Sequence, residues 1–178
     1  MREVSNIGHE RVAAALETMV EQIVARHRET AHLAVVGIAN GGIVFARKLA
    51  QALTLRIYRD LPLGTVNVAF HRDDIGLKPI PLLTAATDLP FAMDEATVIL
   101  ADDVFHTGRT VRAALNELFD QGRPARVELA VLCDRGGRKL PIVPDYVGLA
   151  LETEPSHRVE VSLDFDQPLR NNVRVLAP

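Results

Sequence analysis

The sequence predicts an α/β fold in which a mostly parallel sheet is flanked by helices. Short, valine-rich apolar runs alternate with segments whose apolar residues recur every three or four positions. The three clearest apolar runs end in glycine or polar residues, at 39–42, 101–110 and 133–138. Because parallel sheets bind ligands beyond the carboxyl ends of their strands, these three segments are where we expect a functional site.

Size and composition narrow the class of protein. The chain has 178 residues, 48% of them hydrophobic, which fits a single domain over residues 1–178 with a sizeable core. Its net charge of −3 argues against wholesale coating of nucleic acid but leaves room for a local basic patch. One cysteine, Cys133, excludes a disulfide scaffold and a four-cysteine zinc site. Without an apolar run of about 20 residues or a signal-peptide stretch, we expect a cytoplasmic protein with no membrane partner.

The first part of the chain alternates between helix and strand. Apolar residues recur at helical spacing from Val12, and Asn6 or Gly8 is placed to begin this helix. A valine-rich run too short for a helix follows, then a second helical period, and then a strand of alternating residues. The predicted ranges are a helix at 12–27, a strand at 33–39, a helix at 43–53 and a strand at 65–70.

Residues 71–95 interrupt this alternation. They contain three prolines and one glycine and keep no periodicity. Long loops without secondary structure are uncommon in compact domains and are often functional, so we predict a loop that acts as a lid.

The second part resumes with the strongest strand signal. A buried strand, a helix that Gly122 is placed to end, and another buried strand follow each other closely. The pattern then weakens into three short strand-like segments. The predicted ranges are strands at 96–103 and 127–133, a helix at 111–118, and short segments at 145–151, 159–163 and 173–176.

The densest polar cluster lies between a buried strand and a helix, in VILADDVFHTGRT at 98–110. The amino end of a helix offers unpaired N–H groups and partial positive charge, which favour a phosphate. Gly108 lets the backbone approach closely, while Thr107, Arg109 and Thr110 add donors or charge. Ionised Asp102 and Asp103 are acceptors suited to the vicinal hydroxyls of a sugar. The cluster therefore predicts a site for a sugar phosphate held at both ends.

This string resembles the phosphoribosyl-diphosphate-binding signature of type I phosphoribosyltransferases. Residues 111–148 look like the bifunctional pyrimidine operon attenuation regulator/uracil phosphoribosyltransferase family, through G-R-P after the helix and D-R-G-x-R-x-L-P-I-x-x-D-Y-V-G. Residues 70–74 are similar to the family's L-Y-R-D-D lid segment, and the likeness spans roughly 35–163. It implies a type I phosphoribosyltransferase-like fold with a flexible lid loop at 71–95. It also implies a small base-side hood with C-terminal strands in 135–178.

The resemblance implies a role for each matching residue. Asp102 and Asp103 would hold the ribose hydroxyls, and Asp103 would also stabilise the developing positive charge. Arg72, in the lid, would close over pyrophosphate. The loop for the 5′-phosphate would comprise Thr107, Gly108, Arg109 and Thr110, with His106 lining it. Backbone N–H groups of Ala39, Asn40, Gly41 and Gly42 would hold pyrophosphate, and the base would be framed by Asp134, Arg135, Tyr146 and Val147.

Three positions depart from the family pattern. The family's pyrophosphate loop has a threonine and an arginine where this chain has Asn40 and Gly41, so an arginine clamp is missing. The third is Gly137, which stands where the family has a histidine. His106 stands where the family has an aromatic or polar residue, and we expect it to line the loop rather than act as an acid or base.

The resemblance implies an enzyme that joins uracil to phosphoribosyl diphosphate, giving UMP and pyrophosphate. Magnesium, bound through the diphosphate, is the implied cofactor, without a dedicated protein metal site. Two alternatives stay open. One is a UMP-sensing regulator that binds pyrimidine leader RNA with weak or no catalysis, and the other is a purine phosphoribosyltransferase. A chain of this class is also expected to form a homo-oligomer.

Overall fold

A computed structural model describes residues 1–39, 41–68 and 86–178. Their helices and strands alternate in the first two thirds of the chain, and strands dominate the last third. In chain order the elements are β1 Arg2–Ile7, α1 His9–His27, β2 Leu33–Ile38, α2 Gly41–Ile57, β3 Leu63–Val66, β4 Thr97–Phe105, α3 Arg109–Gln121, β5 Arg126–Asp134, β6 Tyr146–Ala150, β7 Arg158–Ser162 and β8 Asn172–Ala177.

The central sheet has five parallel strands in the order β3-β2-β4-β5-β6. Every residue of β2 is buried, and so are Val98 to Asp102 of β4. Such strands need cover on both faces, which explains why their sequences are continuous apolar runs. The predicted fold class, a parallel sheet flanked by helices, is confirmed.

Helices cover the two faces of this sheet unequally. α1 and α2 pack on one face, where Met19 and Phe45 meet the Val35 side of β2. α3 packs on the other face, where Val111 and Leu118 join the core that contains Val36. Since neighbouring strand residues point to opposite faces, Val35 and Val36 belong to different cores.

The second sheet is antiparallel, in the order β1-β8-β7. Val173 of β8 pairs with Ile7 on one side and Val161 on the other, and it is fully buried in the core shared with α1. Sequence reasoning missed β1, because only Ile7 of its six residues is buried and no alternating pattern marks it. Pairing with β8 defines this strand.

Some predicted boundaries shift. The strand predicted at 65–70 is β3, which begins at Leu63 and ends at Val66. Of the predicted lid at 71–95, residues 71–85 lie outside the described residues. Residues 86–95 carry one isolated bridge, in which the backbones of Thr65 and Asp88 pair. Gly122 does end α3, but with extended rather than left-handed backbone.

Candidate functional site

The carboxyl ends of β2, β4 and β5 meet at one edge of the central sheet. β4 lies between the other two, with Gly37 beside Ala101 on one side and Phe105 beside Asp134 on the other. The three segments singled out in the sequence therefore converge. The parallel register brings them together although almost one hundred residues separate the first from the last.

The segment between β4 and α3 forms a cavity of about 190 Å³. Gly108 precedes α3 with φ of 88°, a left-handed conformation that side chains other than glycine rarely adopt. Gly108, Thr110 and Val111, at the start of this 13-residue helix, line the cavity, and the first N–H groups of a helix have no partner within it. Arg109 is exposed and is not among the lining residues, so its side chain faces solvent. The cavity is lined by Asp102, Val104, Phe105, His106, Thr107, Gly108, Thr110 and Val111.

The acidic pair lies directly behind this cavity. Asp102 is only 6% exposed, and its Oδ1 accepts a hydrogen bond from the Asp103 backbone N–H at 3.0 Å. Asp103 Oδ1 accepts one from the Val104 N–H at 2.9 Å. Burial raises the pKa of Asp102 well above its usual value, and the neighbouring Asp103 raises it further. Burial also raises the pKa of Asp103. Two neighbouring carboxyls can share one proton, and their oxygens can accept hydrogen bonds from hydroxyl groups.

The glycines after β2 touch the acidic pair. A side chain on Gly41 would overlap the Asp103 carboxylate, and a Cβ on Gly42 would lie 2.7 Å from the Ala101 carbonyl oxygen. These two residues begin α2, so their N–H groups have no partner within the helix. Asn40 lies outside the described residues, as does Arg72.

The structure differs from the expectation that the Ala39 backbone N–H holds pyrophosphate. This N–H donates to the Val66 carbonyl oxygen at 2.8 Å, so Ala39 extends the pairing of β2 with β3. It is therefore engaged in the sheet and is not directed at pyrophosphate. Among the residues of this loop that the structure describes, Gly41 and Gly42 have backbone N–H groups without a partner in the helix.

The segment after β5 packs onto the phosphate loop. The Arg135 N–H donates to the Phe105 oxygen and the Lys139 N–H donates to the Thr107 oxygen, both at 3.1 Å. Asp134 accepts from the Gly136 N–H at 2.9 Å and lies 3.4 Å from the Arg138 guanidinium. Sequence reasoning did not place Phe105 or Lys139 at this junction, because backbone contacts between distant loops leave no local pattern.

Tyr146 does not lie at this edge. It begins β6, is 2% exposed, and its hydroxyl donates to Glu128 Oε2 at 2.5 Å. At the ligand edge β6 instead places Ala150 beside Asp134, four residues or about 13 Å further along the strand. Val147 pairs with Val131 and packs in the core on the α3 side. Neither residue frames the cavity in this arrangement.

Glu128 forms a buried polar network that sequence reasoning missed. His27 Nε2 lies 2.8 Å from Glu128 Oε2, and the Arg126 guanidinium donates to Oε1 at 3.0 Å. Burial alone would raise the pKa of Glu128, but hydrogen bonds from Tyr146, His27 and Arg126 lower it to about 2. A glutamate inside an apolar strand was the available signal, because such a charge is buried only when it is paired.

Two further searches concern the described part of the chain. Among those residues, no three or more His, Cys, Asp or Glu side chains are arranged to hold a metal ion. No helix there has both the length and the apolar character needed to span a bilayer.

Solved structures resemble this fold closely. The hypoxanthine phosphoribosyltransferase of Trypanosoma cruzi superimposes with a TM-score of 0.71 at 19% identity, covering 100% of this chain and 97% of that one. The same enzyme in complex with the product IMP gives a TM-score of 0.73, also at 19% identity, covering 100% and 92%. At this identity the likeness shows the fold.

Curated relatives are much closer in sequence. The Bifunctional protein PyrR of Ralstonia nicotianae is 49% identical over 147 residues, covering 80% of this chain and 82% of that protein. The protein of the same name in Syntrophobacter fumaroxidans is 41% identical over 152 residues, covering 85% and 82%. The family model for the phosphoribosyl transferase domain matches residues 3–166. The chain therefore belongs to the phosphoribosyltransferase family, among the bifunctional PyrR proteins.

Proposed function

We propose that the protein is a uracil phosphoribosyltransferase that converts phosphoribosyl diphosphate and uracil into UMP and pyrophosphate. One observation carries the proposal: buried Asp102 and the amino end of α3 line one cavity at the carboxyl edge of a parallel sheet, and half-buried Asp103 lies next to Asp102, against Gly41. A carboxylate pair suits sugar hydroxyls, and a helix amino end suits a phosphate. Membership of the PyrR proteins directs the choice of base to uracil.

The reaction exchanges one bond at C1′ of the ribose. The bond from C1′ to the pyrophosphate oxygen breaks, and the bond from C1′ to uracil N1 forms. The N1 proton leaves to pyrophosphate or water, so charge and atoms balance. As positive charge develops on the sugar, Asp103 stabilises it, while Thr107 and Thr110 fix the 5′-phosphate. Catalysis then depends mainly on positioning and electrostatics.

Magnesium enters this scheme as part of the substrate. Asp102 and Asp103 supply oxygen donors, the ligand type that magnesium prefers, on the side of the cavity that faces α2. When bound to the diphosphate, the ion neutralises charge on the leaving group. Gly41 and Gly42 contribute backbone N–H groups there, and Arg72 supplies the cation that the glycine loop lacks.

The base side is assigned to the segment after β5. Asp134 is the last residue of β5, next to the cavity, and Arg135 follows it. The Arg135 backbone N–H donates a hydrogen bond to the Phe105 carbonyl oxygen. Asp134 and Arg135 are placed to frame a planar base next to C1′. Tyr146 and Val147 are left out of this assignment because they lie within the sheet.

Pyrophosphate release measures this function directly. Purified protein with magnesium and phosphoribosyl diphosphate should release pyrophosphate with uracil, and not with hypoxanthine or guanine. An Asp103→Asn variant is the matched control for contaminating enzymes, because it should lose release by about a hundredfold. Release with purines alone would favour the purine alternative, and no release with any base would refute the enzyme assignment.

A regulatory second function is supported by a separate observation. Exposed Arg26 and Arg126 lie around Glu128 at the amino ends of the strands, on the edge opposite the nucleotide site. We propose that this edge contacts pyrimidine leader RNA when UMP occupies the site. Gel shifts with and without UMP test it, and affinity should fall as salt rises because phosphate contacts release counterions. An RNA gel shift of equal strength with and without UMP would refute the regulatory proposal.

A further inference from the structure

His106 and Gly137 occupy one space between two loops. A Cβ on Gly137 would lie 2.7 Å from His106 Nε2 and 2.8 Å from its Cδ2. Real Cβ atoms do not approach so closely, so the imidazole fills the place where a side chain at 137 would begin. Gly137 also has φ of 75°, in the left-handed region. A side chain at 137 would therefore force the imidazole out of this position.

His106 and Gly137 lie on two different loops, one directly after β4 and the other after β5. Two backbone hydrogen bonds, from Arg135 to Phe105 and from Lys139 to Thr107, join these loops. These bonds hold the two loop backbones together on either side of the His106 ring, and we call this place the junction.

This junction separates the phosphate side of the site from the base side. His106 lines the same cavity as Asp102 and Thr107, while its ring lies against the segment that follows Asp134. Burial lowers the pKa of His106, and the charges of Arg135 and Lys139 lower it further. A neutral imidazole has one N–H donor and one acceptor nitrogen. The edge of a pyrimidine base offers N–H and carbonyl groups, and one imidazole nitrogen can hydrogen bond to either kind.

We propose that His106 positions the pyrimidine base by hydrogen bonding to its edge, and that Gly137 is glycine to admit the imidazole there. This inference rests on the proposed function, since it assigns one base contact within that site. His106 would orient uracil relative to C1′ and would contribute little to holding the diphosphate.

Two neighbouring glycines provide a matched test. Gly136 has φ of 71°, close to that of Gly137, but a Cβ there would meet nothing within 4 Å. Gly136→Ala thus carries the backbone strain alone, and Gly137→Ala carries the same strain plus the collision with His106. We expect Gly137→Ala to raise the KM for uracil about tenfold, with the KM for phosphoribosyl diphosphate changed less than twofold. Gly136→Ala should leave both within about twofold.

A double-mutant cycle completes the test. In a His106→Ala background the collision is gone, so Gly137→Ala should add no more to the KM for uracil than Gly136→Ala does. His106→Gln, which keeps a donor and an acceptor, should recover part of the affinity lost in His106→Ala. Equal effects of the two glycine variants, additive effects in the cycle, or a rise confined to phosphoribosyl diphosphate would overturn the inference.

Failure of the proposed function gives a different result. If the wild-type protein releases no pyrophosphate with uracil, the cycle is run on thermal stabilisation by UMP, which reports binding alone. Coupling between His106 and Gly137 in that assay supports the base contact without catalysis. If UMP also fails to stabilise the protein, both proposals are refuted.

Discussion

The Asp103 carboxylate lies in the space that a side chain on Gly41 would occupy. Gly41 begins α2 after the first central strand, and Asp103 belongs to the adjacent strand β4. The proposed pyrophosphate loop and the proposed ribose-binding pair are therefore in direct contact. A side chain at position 41 would displace the Asp103 carboxylate from this place.

Gly41→Ala should weaken the substrate that spans these two groups. The added methyl displaces the Asp103 carboxylate, so we expect the KM for phosphoribosyl diphosphate to rise about tenfold while the KM for uracil changes little. Gly8→Ala is the control, because a Cβ on Gly8 meets nothing within 4 Å. Steady-state kinetics measure both constants, and an unchanged KM in Gly41→Ala would contradict the structural reasoning.

Asp102→Asn should stabilise the protein while impairing the binding of phosphoribosyl diphosphate. Burial and Asp103 raise the pKa of Asp102 in the folded state, so the folded protein binds this proton more tightly than the unfolded chain. Ionised Asp102 therefore costs stability at pH above its folded pKa, and a neutral amide removes that cost. The Tm of Asp102→Asn should exceed that of the wild type at pH 8, and the difference should shrink on acidification. An equal or lower Tm at pH 8 would refute this.

Tyr146→Phe should affect stability and leave substrate binding alone. It removes a buried hydroxyl that donates to the Glu128 carboxylate, a loss of about 1.5–3 kcal/mol in the free energy of unfolding. Tyr58→Phe is the control, since Tyr58 is 89% exposed and should change stability by less than about 0.5 kcal/mol. Urea unfolding gives both values. A raised KM for uracil in Tyr146→Phe would contradict this and would indicate that Tyr146 contributes to binding the base.

The lowered pKa of Glu128 should make the free energy of unfolding decrease at acidic pH. Its folded pKa of about 2 lies below its ordinary value of 4.5, so its ion pairs stabilise the protein above pH 4.5. That contribution is lost as the pH falls from 4.5 towards 2, because the unfolded chain takes up the proton first.

Glu128→Gln should lose about 3–5 kcal/mol at neutral pH and show a shallower loss of stability between pH 4.5 and 2. Exposed Glu10→Gln serves as the control and should retain the wild-type slope. Urea unfolding across this pH range decides the matter, and parallel slopes for Glu128→Gln and the wild type would contradict the assignment.

Much of the fold could be predicted from sequence because its signals are local. Because β2 and β4 are buried on both faces, their sequences are continuous apolar runs. In α1 and α3 the apolar residues recur at helical spacing, and each helix is preceded by a glycine, Gly8 or Gly108. The fold class predicted from these patterns is confirmed, and so is the family that the motifs at 98–110 and 111–148 resemble. β1 was missed because pairing with β8 defines it, and the end of β3 was misplaced because alternation continues beyond its last paired residue. Self-association stays a prediction.

The sequence by itself determined which residue types the site contains: an acidic pair, a glycine-threonine loop before a helix, and a glycine pair after a strand. These are contiguous, so their chemistry can be inferred from neighbours along the chain. Only the tertiary structure decided which distant groups touch. Parallel register set Gly41 against Asp103 and His106 against Gly137, and it carried Tyr146 about 13 Å from the ligand edge to pair with Glu128. Contacts across strands depend on sheet order and register, which no single segment of this sequence specifies.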